Sequence, residues 1–167
     1  MKFLVIGGSG LIGWKLVQLF IQEGNDVEFT FLTNKTQLLV RSHQIDITQN
    51  NVTAELLKKI NPDIVFHTAA LTNVDLCETN KQMADTINVN GTKNIIEGCK
   101  VTKSKLVFLS TCFVFDGKKQ QYFEEDKPSP STYYGLTKFK GEELVKNSGL
   151  DYLILRTDQP YCWIQKW

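Results

Sequence analysis

The sequence has almost no net charge and no long hydrophobic run. Its 167 residues carry 19 lysine and arginine side chains against 18 aspartate and glutamate side chains, for a formal net charge of +1. Because binding to nucleic acid or to an anionic membrane surface usually depends on a basic excess, the composition indicates neither partner. No apolar stretch could cross a bilayer, and the first residues lack the layout of a secretory signal peptide. An apolar content of 42% is ordinary for a single globular domain.

Residues that ligate metals are also scarce. The four cysteines are Cys77, Cys99, Cys112 and Cys162. They show no C-x-x-C pairing, and the chain has only two histidines, His43 and His67, so we expect no metal site. His67 follows an apolar run and is interpreted as a core or edge histidine. We interpret the thiols as reduced, which favours a cytoplasmic location.

The N-terminal stretch has the pattern of a strand, a glycine turn and a helix. Residues 2–6 are an apolar run that predicts a buried strand, and apolar spacing from Ile12 to about Glu23 predicts a helix. Between them stand Gly7, Gly10 and Gly13, in the spacing G-x-x-G-x-x-G. This context is typical of a dinucleotide-binding turn; a glycine-rich turn without a ligand is the alternative.

Each glycine of the turn has an expected role. Gly7 permits a tight turn, Gly10 lets the backbone approach a pyrophosphate, and Gly13 lets the helix pack closely on the strand. Free backbone amides at the helix start, in the region of Leu11 and Ile12, would face the phosphate charge.

Strand-like and helix-like segments alternate along the rest of the chain. Further strands are expected at 27–32, 64–70 and 105–110, and helices at 51–60 and 81–101. Residues 71–78 are polar and are interpreted as a loop. The alternation predicts an α/β fold with a Rossmann-like, doubly wound parallel sheet.

Two segments carry candidate catalytic residues. Ser110 and Thr111 end a strand, where ligands bind in open α/β sheets. Tyr134 and Lys138 are four residues apart and share a helix face, whereas Thr137 stands four residues after Tyr133. A nearby ammonium favours the phenolate, so we expect Lys138 to lower the pKa of Tyr134. Tyr134 could then donate a proton to an alkoxide.

These motifs resemble the extended short-chain dehydrogenase/reductase superfamily, and within it the dTDP-4-dehydrorhamnose reductase group. The matching stretches are residues 7–13, 68–78, 88–92, 114–117, 134–138 and 141–142. The resemblance implies NAD(P)H-dependent reduction of the 4-keto group of a nucleotide sugar. Tyr134 would be the proton donor, Lys138 its modulator and Thr111 a substrate ligand. A strand-capping role is the alternative for Thr111.

The resemblance also implies a set of cofactor-binding residues. They are Gly7, Gly10, Leu11, Ile12, Gly13, Asp46, Ile47, Thr68, Ala69, Ala70, Tyr134 and Lys138. Asp46 would lie at the adenine or act as a capping residue, and residues 72–75 would lie near the substrate or cap a helix. Asn88 would be the family's active-site asparagine or a residue on the helix surface.

The acid that binds the ribose hydroxyls in NAD-preferring relatives is missing from residues 29–35. Thr33, Asn34 and Lys35 could instead accept a 2′-phosphate, or form a solvated turn. We therefore expect NADP or NAD as cofactor, with a slight preference for NADPH.

The end of the sequence departs from the resemblance. Residues 153–157 resemble the sixth strand, after which relatives continue into a substrate domain, but this sequence stops at Trp167. We therefore expect an NAD(P)-binding domain over residues 1–167, with a truncated substrate-binding region starting at about 157. Either the sequence is a fragment or the protein is a reduced, regulatory form. Exposed Tyr161, Trp163 and Trp167 would favour self-association, so a homodimer is one expected assembly.

Other activities stay open at this point. The same motifs occur in the regulatory subunit of methionine adenosyltransferase, which works as a non-catalytic binding partner. A nucleotide-sugar epimerase is a further alternative. A dehydratase is disfavoured because Cys112, rather than an acid, follows Thr111.

Overall fold

A computed structural model of the chain describes residues 1–160. Six parallel strands form one sheet: β1 (Lys2–Ile6), β2 (Asp26–Phe31), β3 (Ser42–Gln44), β4 (Ile64–His67), β5 (Lys105–Thr111) and β6 (Tyr152–Thr157). The strand order is β3-β2-β1-β4-β5-β6. The order runs outward from β1 in both directions, which is the doubly wound arrangement, so the predicted fold class is confirmed.

Helices follow the strands along the chain. They are α1 (Leu11–Gln22), α2 (Asn50–Ile60), α3 (Val74–Thr79), α4 (Lys81–Ala84), α5 (Gly91–Thr102) and α6 (Tyr133–Lys146). The segment Asp85–Asn90, called the π segment below, joins α4 to α5, and a 3-10 turn at Cys112–Val114 follows β5.

The hydrophobic core lies on both faces of the sheet because the strands alternate their side chains between them. On one face, Leu4 and Ile6 of β1 pack with Leu57 of α2 and Ile95 of α5. On the other face, an aromatic-rich cluster packs beneath α1; its buried members are Phe3, Val5, Val17, Phe20, Val27 and Phe29. Burying each such side chain stabilises the fold by roughly 1.5–3 kcal/mol.

The prediction of a loop at residues 71–78 was wrong. The structure has the short helix α3 there, and the Asn73 side chain caps it by accepting a hydrogen bond from the amide of Leu76 at 2.8 Å. Cys77 on the inner side of α3 is fully buried. A six-residue helix with one buried residue has too little apolar periodicity to be seen in the sequence.

The prediction of one helix over 81–101 was right in extent but missed an irregularity. The π segment interrupts it between α4 and α5, and Asn88 within that segment is buried. A side chain at Gly91 would bring its Cβ to 2.7 Å from the Ile47 Cδ1 atom, so the helix packs closely on the chain after β3.

β6 forms the last strand of the sheet and leaves apolar side chains exposed. It pairs with β5 on one side, while Tyr152, Leu153 and Leu155 each keep 40% or more of their surface accessible. Within residues 1–160, we find no helix that combines the length and apolar character needed to cross a membrane.

Candidate functional site

A cleft of about 1290 Å³ opens at the carboxyl ends of the strands. Its lining includes the three residues predicted for catalysis and the cofactor-binding set implied by the resemblance: Gly7, Gly10, Leu11, Ile12, Gly13, Asp46, Ile47, Thr68, Ala69, Ala70, Thr111, Tyr134 and Lys138. Because these residues come from separate strand ends and from α1 and α6, it is the fold that brings them together.

The glycine turn between β1 and α1 forms one wall of the cleft. Gly7 has a φ of +85°, and a Cβ there would lie 2.8 Å from the backbone nitrogen of Ala69. A Cβ at Gly13 would lie 2.3 Å from the carbonyl oxygen of Gly7. At Gly10 the nearest atom would be that same oxygen at 3.4 Å, which is an ordinary contact. Protein packing thus requires glycine at 7 and 13, whereas Gly10 leaves space that faces the cleft.

The start of α1 suits a negatively charged ligand. Gly10 is its N-cap, so no side chain caps the helix, and the first turn holds no acidic residue. The first intrahelical bond runs from the amide of Trp14 to the carbonyl of Gly10 at 2.8 Å. The preceding amides of the first turn therefore point toward the cleft, together with the positive end of the helix dipole.

Thr68 joins the end of β4 to the glycine turn. Its hydroxyl donates to the carbonyl oxygens of Ile6 at 2.8 Å and Gly7 at 3.3 Å. The small residues Ala69 and Ala70 follow it along the floor of the cleft. The carbonyl end of β4 is thereby fixed against the glycine turn.

Asp46 has the capping role considered for it, while its place at an adenine stays a prediction. Its Oδ1 accepts hydrogen bonds from the amide of Thr48 at 2.9 Å and from the Thr48 hydroxyl at 2.8 Å. The carboxylate therefore caps the local turn and also lines the cleft next to Ile47. The Asn94 side chain of α5 donates to the carbonyl of Ile47 at 2.9 Å and holds this segment in place.

The residues considered for a 2′-phosphate lie outside the cleft. Within residues 1–160, its lining includes Leu32 but not Thr33, Asn34 or Lys35, which are exposed to solvent. The nearest acid before this turn, Glu28, is buried on β2. It pairs with His43 at 2.6 Å and with Lys2 at 3.2 Å, so its carboxylate is already engaged.

Thr111 and Tyr134 meet at the other end of the cleft. Thr111 ends β5 and accepts a hydrogen bond from the amide of Phe113 at 3.2 Å, so it caps the 3-10 turn that follows the strand. The Thr111 side chain also acts on Tyr134, where it works to lower the pKa of the phenol. Tyr134 lies in the first turn of α6, whose N-cap Thr132 accepts from the amide of Gly135 at 3.1 Å. Capping thus fixes both ends of the Thr111–Tyr134 contact.

The prediction that Lys138 lowers the pKa of Tyr134 was wrong. Burial raises the pKa of Tyr134, and the influence of the Thr111 side chain only partly offsets this. Burial also lowers the pKa of Lys138 to about 7, although the charge of Glu142 opposes the shift. The Lys138 Nζ lies 4.1 Å from the centre of the Phe108 ring. At neutral pH Tyr134 therefore keeps the proton that an acid must donate.

A buried polar network supports the cleft from beneath. His67 is buried, as predicted, and its Nε2 lies 3.0 Å from the Thr92 hydroxyl. That hydroxyl donates to the carbonyl of Asn88, so the ring nitrogen facing it is the protonated one. Burial lowers the pKa of His67 to about 3, which keeps the ring neutral.

Asn88 is not a surface residue, so that alternative was wrong. Its side chain accepts from the amide of Leu71 at 2.8 Å and donates to the Leu71 carbonyl at 3.1 Å. It also donates to the Thr137 hydroxyl at 2.9 Å, and Thr137 donates to the carbonyl of Tyr134. Asn88 therefore ties the segment after β4 to the helix that carries Tyr134.

Sequence reasoning missed a further wall of the cleft. It is formed by α4 with its N-cap and by the π segment, through Asn80, Gln82, Met83, Thr86 and Ile87. The end of β6 and the residues after it, where a substrate-binding region was predicted to start at about 157, also line the cleft: Thr157, Asp158, Gln159 and Pro160. Polar residues spaced by four in the predicted helix, Gln82 and Thr86, were a weak signal for it.

The remaining expectations concern cysteines and the chain end. Cys77, Cys99 and Cys112 are free thiols. The part of the chain that the structure describes holds no cluster of residues able to bind a metal ion. Cys162, Tyr161, Trp163 and Trp167 lie outside the described residues.

Comparison with known proteins gives relatives that are named as reductases or as a subunit of methionine adenosyltransferase. The chain is 33% identical to the probable low-salt glycan biosynthesis reductase Agl14 of Haloferax volcanii, over 96% of this chain and 54% of that protein. It is 28% identical to methionine adenosyltransferase 2 subunit beta of Mus musculus, over 99% of this chain and 48% of that protein. The chain spans about half the length of the curated relatives it matches.

Two solved structures share the fold closely. A hypothetical dTDP-4-dehydrorhamnose reductase from Sulfolobus tokodaii superposes with a TM-score of 0.85 at 36% identity, over 95% of this chain and 56% of that one. The dTDP-4-dehydrorhamnose reductase of Bacillus anthracis in complex with NADP gives a TM-score of 0.82 at 29% identity, over 94% and 53%. The family described as the RmlD substrate binding domain matches residues 1–163. Fold, cleft and sequence agree, and the chain belongs to the RmlD substrate binding domain family.

Proposed function

We propose that the protein is an NAD(P)H-dependent reductase acting on the 4-keto group of a nucleotide sugar. The observation that carries this proposal is that Thr111, Tyr134 and Lys138 line the same cleft, with Tyr134 and Lys138 one helical turn apart on α6. The family and the reductases among its relatives support the same reaction.

The glycine turn and the start of α1 fit the cofactor. Gly10 leaves room for a pyrophosphate, uncapped amides of the first turn would bind it, and Asp46 with Ile47 would border the adenosine. When bound, the nicotinamide supplies a hydride. We propose NADPH as the slightly preferred form, because residues 29–35 offer no carboxylate to the ribose hydroxyls.

At the other end of the cleft, Thr111, Tyr134 and Lys138 would supply the proton for the reduction. Thr111 accepts the Phe113 amide through its oxygen and keeps its own hydrogen for donation to a substrate oxygen or to Tyr134. Burial keeps the Tyr134 hydroxyl protonated, ready for donation to the reduced carbonyl oxygen. Lys138, with a pKa near 7, can restore the proton to Tyr134 or bind the cofactor ribose.

The test compares Tyr134→Phe with Tyr133→Phe, two neighbouring substitutions of the same kind. NADPH oxidation at 340 nm is followed with dTDP-4-dehydrorhamnose as substrate. Removing the donor should reduce turnover by ~10²–10⁴-fold, as general acids typically contribute that much. Tyr133 bonds to Asp85 outside the cleft, so its variant should keep most of the activity. Equal rates in both variants would rule Tyr134 out as the donor.

A cofactor-binding regulatory subunit is the second candidate. Its support is the 28% identity to methionine adenosyltransferase 2 subunit beta over 99% of this chain. This candidate predicts that NADPH binds and quenches tryptophan fluorescence while no 4-keto sugar nucleotide is reduced. Measurable turnover, lost in Tyr134→Phe, favours the enzyme instead.

The finer expectations about organisation are also proposals. We propose that residues up to about 157 form the cofactor-binding domain and that the following residues begin the substrate-binding region; Asp158 and Pro160 already line the cleft. We propose a cytoplasmic protein, supported by the free thiols at Cys77, Cys99 and Cys112. The exposed face of β6 supports a homodimer, which light scattering of the purified chain would test.

A further inference from the structure

A third buried residue continues the line formed by Tyr134 and Lys138. Glu142 lies four residues after Lys138 on α6, and its side chain has no accessible surface. Tyr134 and Lys138 line the cleft, whereas Glu142 lies behind them and is not part of the lining. The proposed reaction assigns it no role, although a buried carboxylate is expensive to keep in a fold.

Glu142 binds the ends of two strands at once. Its Oε1 accepts hydrogen bonds from the Ser110 hydroxyl at 2.6 Å and from Arg156 Nε at 2.8 Å. Its Oε2 accepts from Arg156 Nη2 at 2.7 Å and has the Lys146 ammonium at 3.7 Å. Burial would raise the pKa of Glu142, but these donors hold it below its usual value, so the group stays ionised.

The two clamped residues stand directly before residues that line the cleft. Ser110 precedes Thr111 on β5, and Arg156 precedes Thr157 on β6; the two pairs are also in register across the strands. The carboxylate therefore fixes α6 relative to the strand ends that the site uses. A buried ion pair seldom adds stability over a well-packed apolar group, so stability alone does not explain this arrangement.

The surroundings of Lys138 show what the charge of Glu142 does. From β4 it faces the neutral His67, and from β5 the Phe108 ring. On α6 itself, Glu142 lies one turn away, about 6 Å along the helix axis, and its charge favours the ammonium form. On the far side of Glu142, Arg156 and Lys146 offset part of that charge.

We propose that Glu142 is a positioning residue, which holds α6 on the ends of β5 and β6, and that its negative charge favours the ammonium form of Lys138 beside Tyr134. The proposal rests on the proposed function only in treating Lys138 as part of a reductase site. The placement of Glu142 and its effect on Lys138 do not depend on which reaction the protein catalyses.

The test measures the protonation of Lys138 directly. The 167-residue chain is labelled with ¹³Cε-lysine, and the Lys138 signal is assigned by its loss in Lys138→Arg and followed against pH by NMR. Glu142→Gln keeps the volume of the side chain and removes its charge. It should lower the Lys138 midpoint by at least half a unit, about a threefold drop in proton affinity. An unchanged midpoint would overturn the proposal.

Two matched variants separate charge from shape. Glu143→Gln makes the same change at the neighbouring position, which is half exposed and pairs with Lys146, and should leave the midpoint unchanged. Glu142→Asp retains the charge and should bring the midpoint back to within half a unit of the wild type. If Glu142→Asp behaves like Glu142→Gln, the role is one of shape and the proposal is wrong.

The titrations can still be interpreted if a variant is unstable or if the chain reduces no sugar. Sucrose strengthens burial and can hold Glu142→Gln folded during the titration, with the wild type measured in the same buffer. A shifted midpoint in a chain that reduces no 4-keto sugar would support the role of Glu142 and count against the reductase. An unshifted midpoint in a chain that reduces the sugar would count against the role of Glu142 and support the reductase.

Discussion

Replacing Lys138 by methionine should make the ligand-free protein more stable at neutral pH. Lys138 is 4% exposed, and its pKa falls from 10.5 to about 7 on folding. A shift of that size means that the charged form is disfavoured by roughly 5 kcal/mol, since one unit corresponds to about 1.4 kcal/mol. This energy is an upper limit for the gain from Lys138→Met, because the variant also loses the attraction of ~0.5–2 kcal/mol between the ammonium and the Phe108 ring. We expect a net gain of ~1–3 kcal/mol for Lys138→Met at pH 7.

The gain should depend on pH in a defined direction. Between about pH 7 and pH 10 the unfolded chain binds the Lys138 proton and the folded chain does not, so wild-type stability rises with pH. The advantage of Lys138→Met is therefore largest below about pH 7 and shrinks as the pH approaches 10.

Urea unfolding followed by circular dichroism at several pH values measures this difference. Lys140→Met is the control, because Lys140 is half exposed and pairs with Asp85 at 2.9 Å. It should change stability by less than about 1 kcal/mol. A Lys138→Met protein that is less stable than the wild type at pH 7, or whose advantage does not vary with pH, would refute the reasoning. NADPH affinity should fall in the same variant, as expected where a site residue is kept at a cost in stability.

Three further predictions concern the turn, the cofactor and the network beneath the cleft. Gly10→Ala should fold normally and lose NADPH affinity in a cofactor titration. Gly13→Ala should lower the temperature of thermal unfolding, because its Cβ would meet the Gly7 carbonyl oxygen at 2.3 Å. A Gly13→Ala protein as stable as the wild type would contradict the packing argument. NADPH should bind at least as tightly as NADH by fluorescence titration; a tenfold preference for NADH, about 1.4 kcal/mol, would contradict this. Asn88→Ala should lower the free energy of unfolding in urea by ~2–4 kcal/mol, because it leaves the buried amide and carbonyl groups of Leu71 unpaired. The control Asn90→Ala should lower it by less than about 1 kcal/mol.

The sequence is a good guide to the site where the signal is local. The turn from Gly7 to Gly13 is specified by glycines whose positions follow from backbone sterics, so its role as one wall of the cleft could be predicted. The four-residue spacing of Tyr134 and Lys138 likewise follows from helix geometry. The partner of Tyr134 is Thr111, 23 residues earlier, and the resemblance to a known family, rather than the residues alone, brought the two together.

Electrostatics and irregular helices could not be predicted in the same way. The pKa of Tyr134 was expected to fall because a lysine stands nearby in sequence, yet burial, which depends on the packing of α6 against β5, raises it. The clamp from Glu142 to Ser110 and Arg156 joins three elements and leaves no short-range pattern. The interruption of the helix over 81–101 was hidden because apolar periodicity tolerates one extra residue.

The π segment gives this part of the chain some freedom in length. A π turn amounts to an α-helix with one residue inserted, so the helical halves on either side of it keep their relative phase. In that phase Met83 and Thr86 reach the cleft while Ile95, farther along, packs into the core. Deleting one residue within 85–90 would turn the segment into an α-helical turn and leave the phase unchanged, whereas deleting one in α5 would rotate the rest of that helix by about 100°. We expect natural length variation to fall in the π segment or in the exposed stretch at 117–129, rather than in α5.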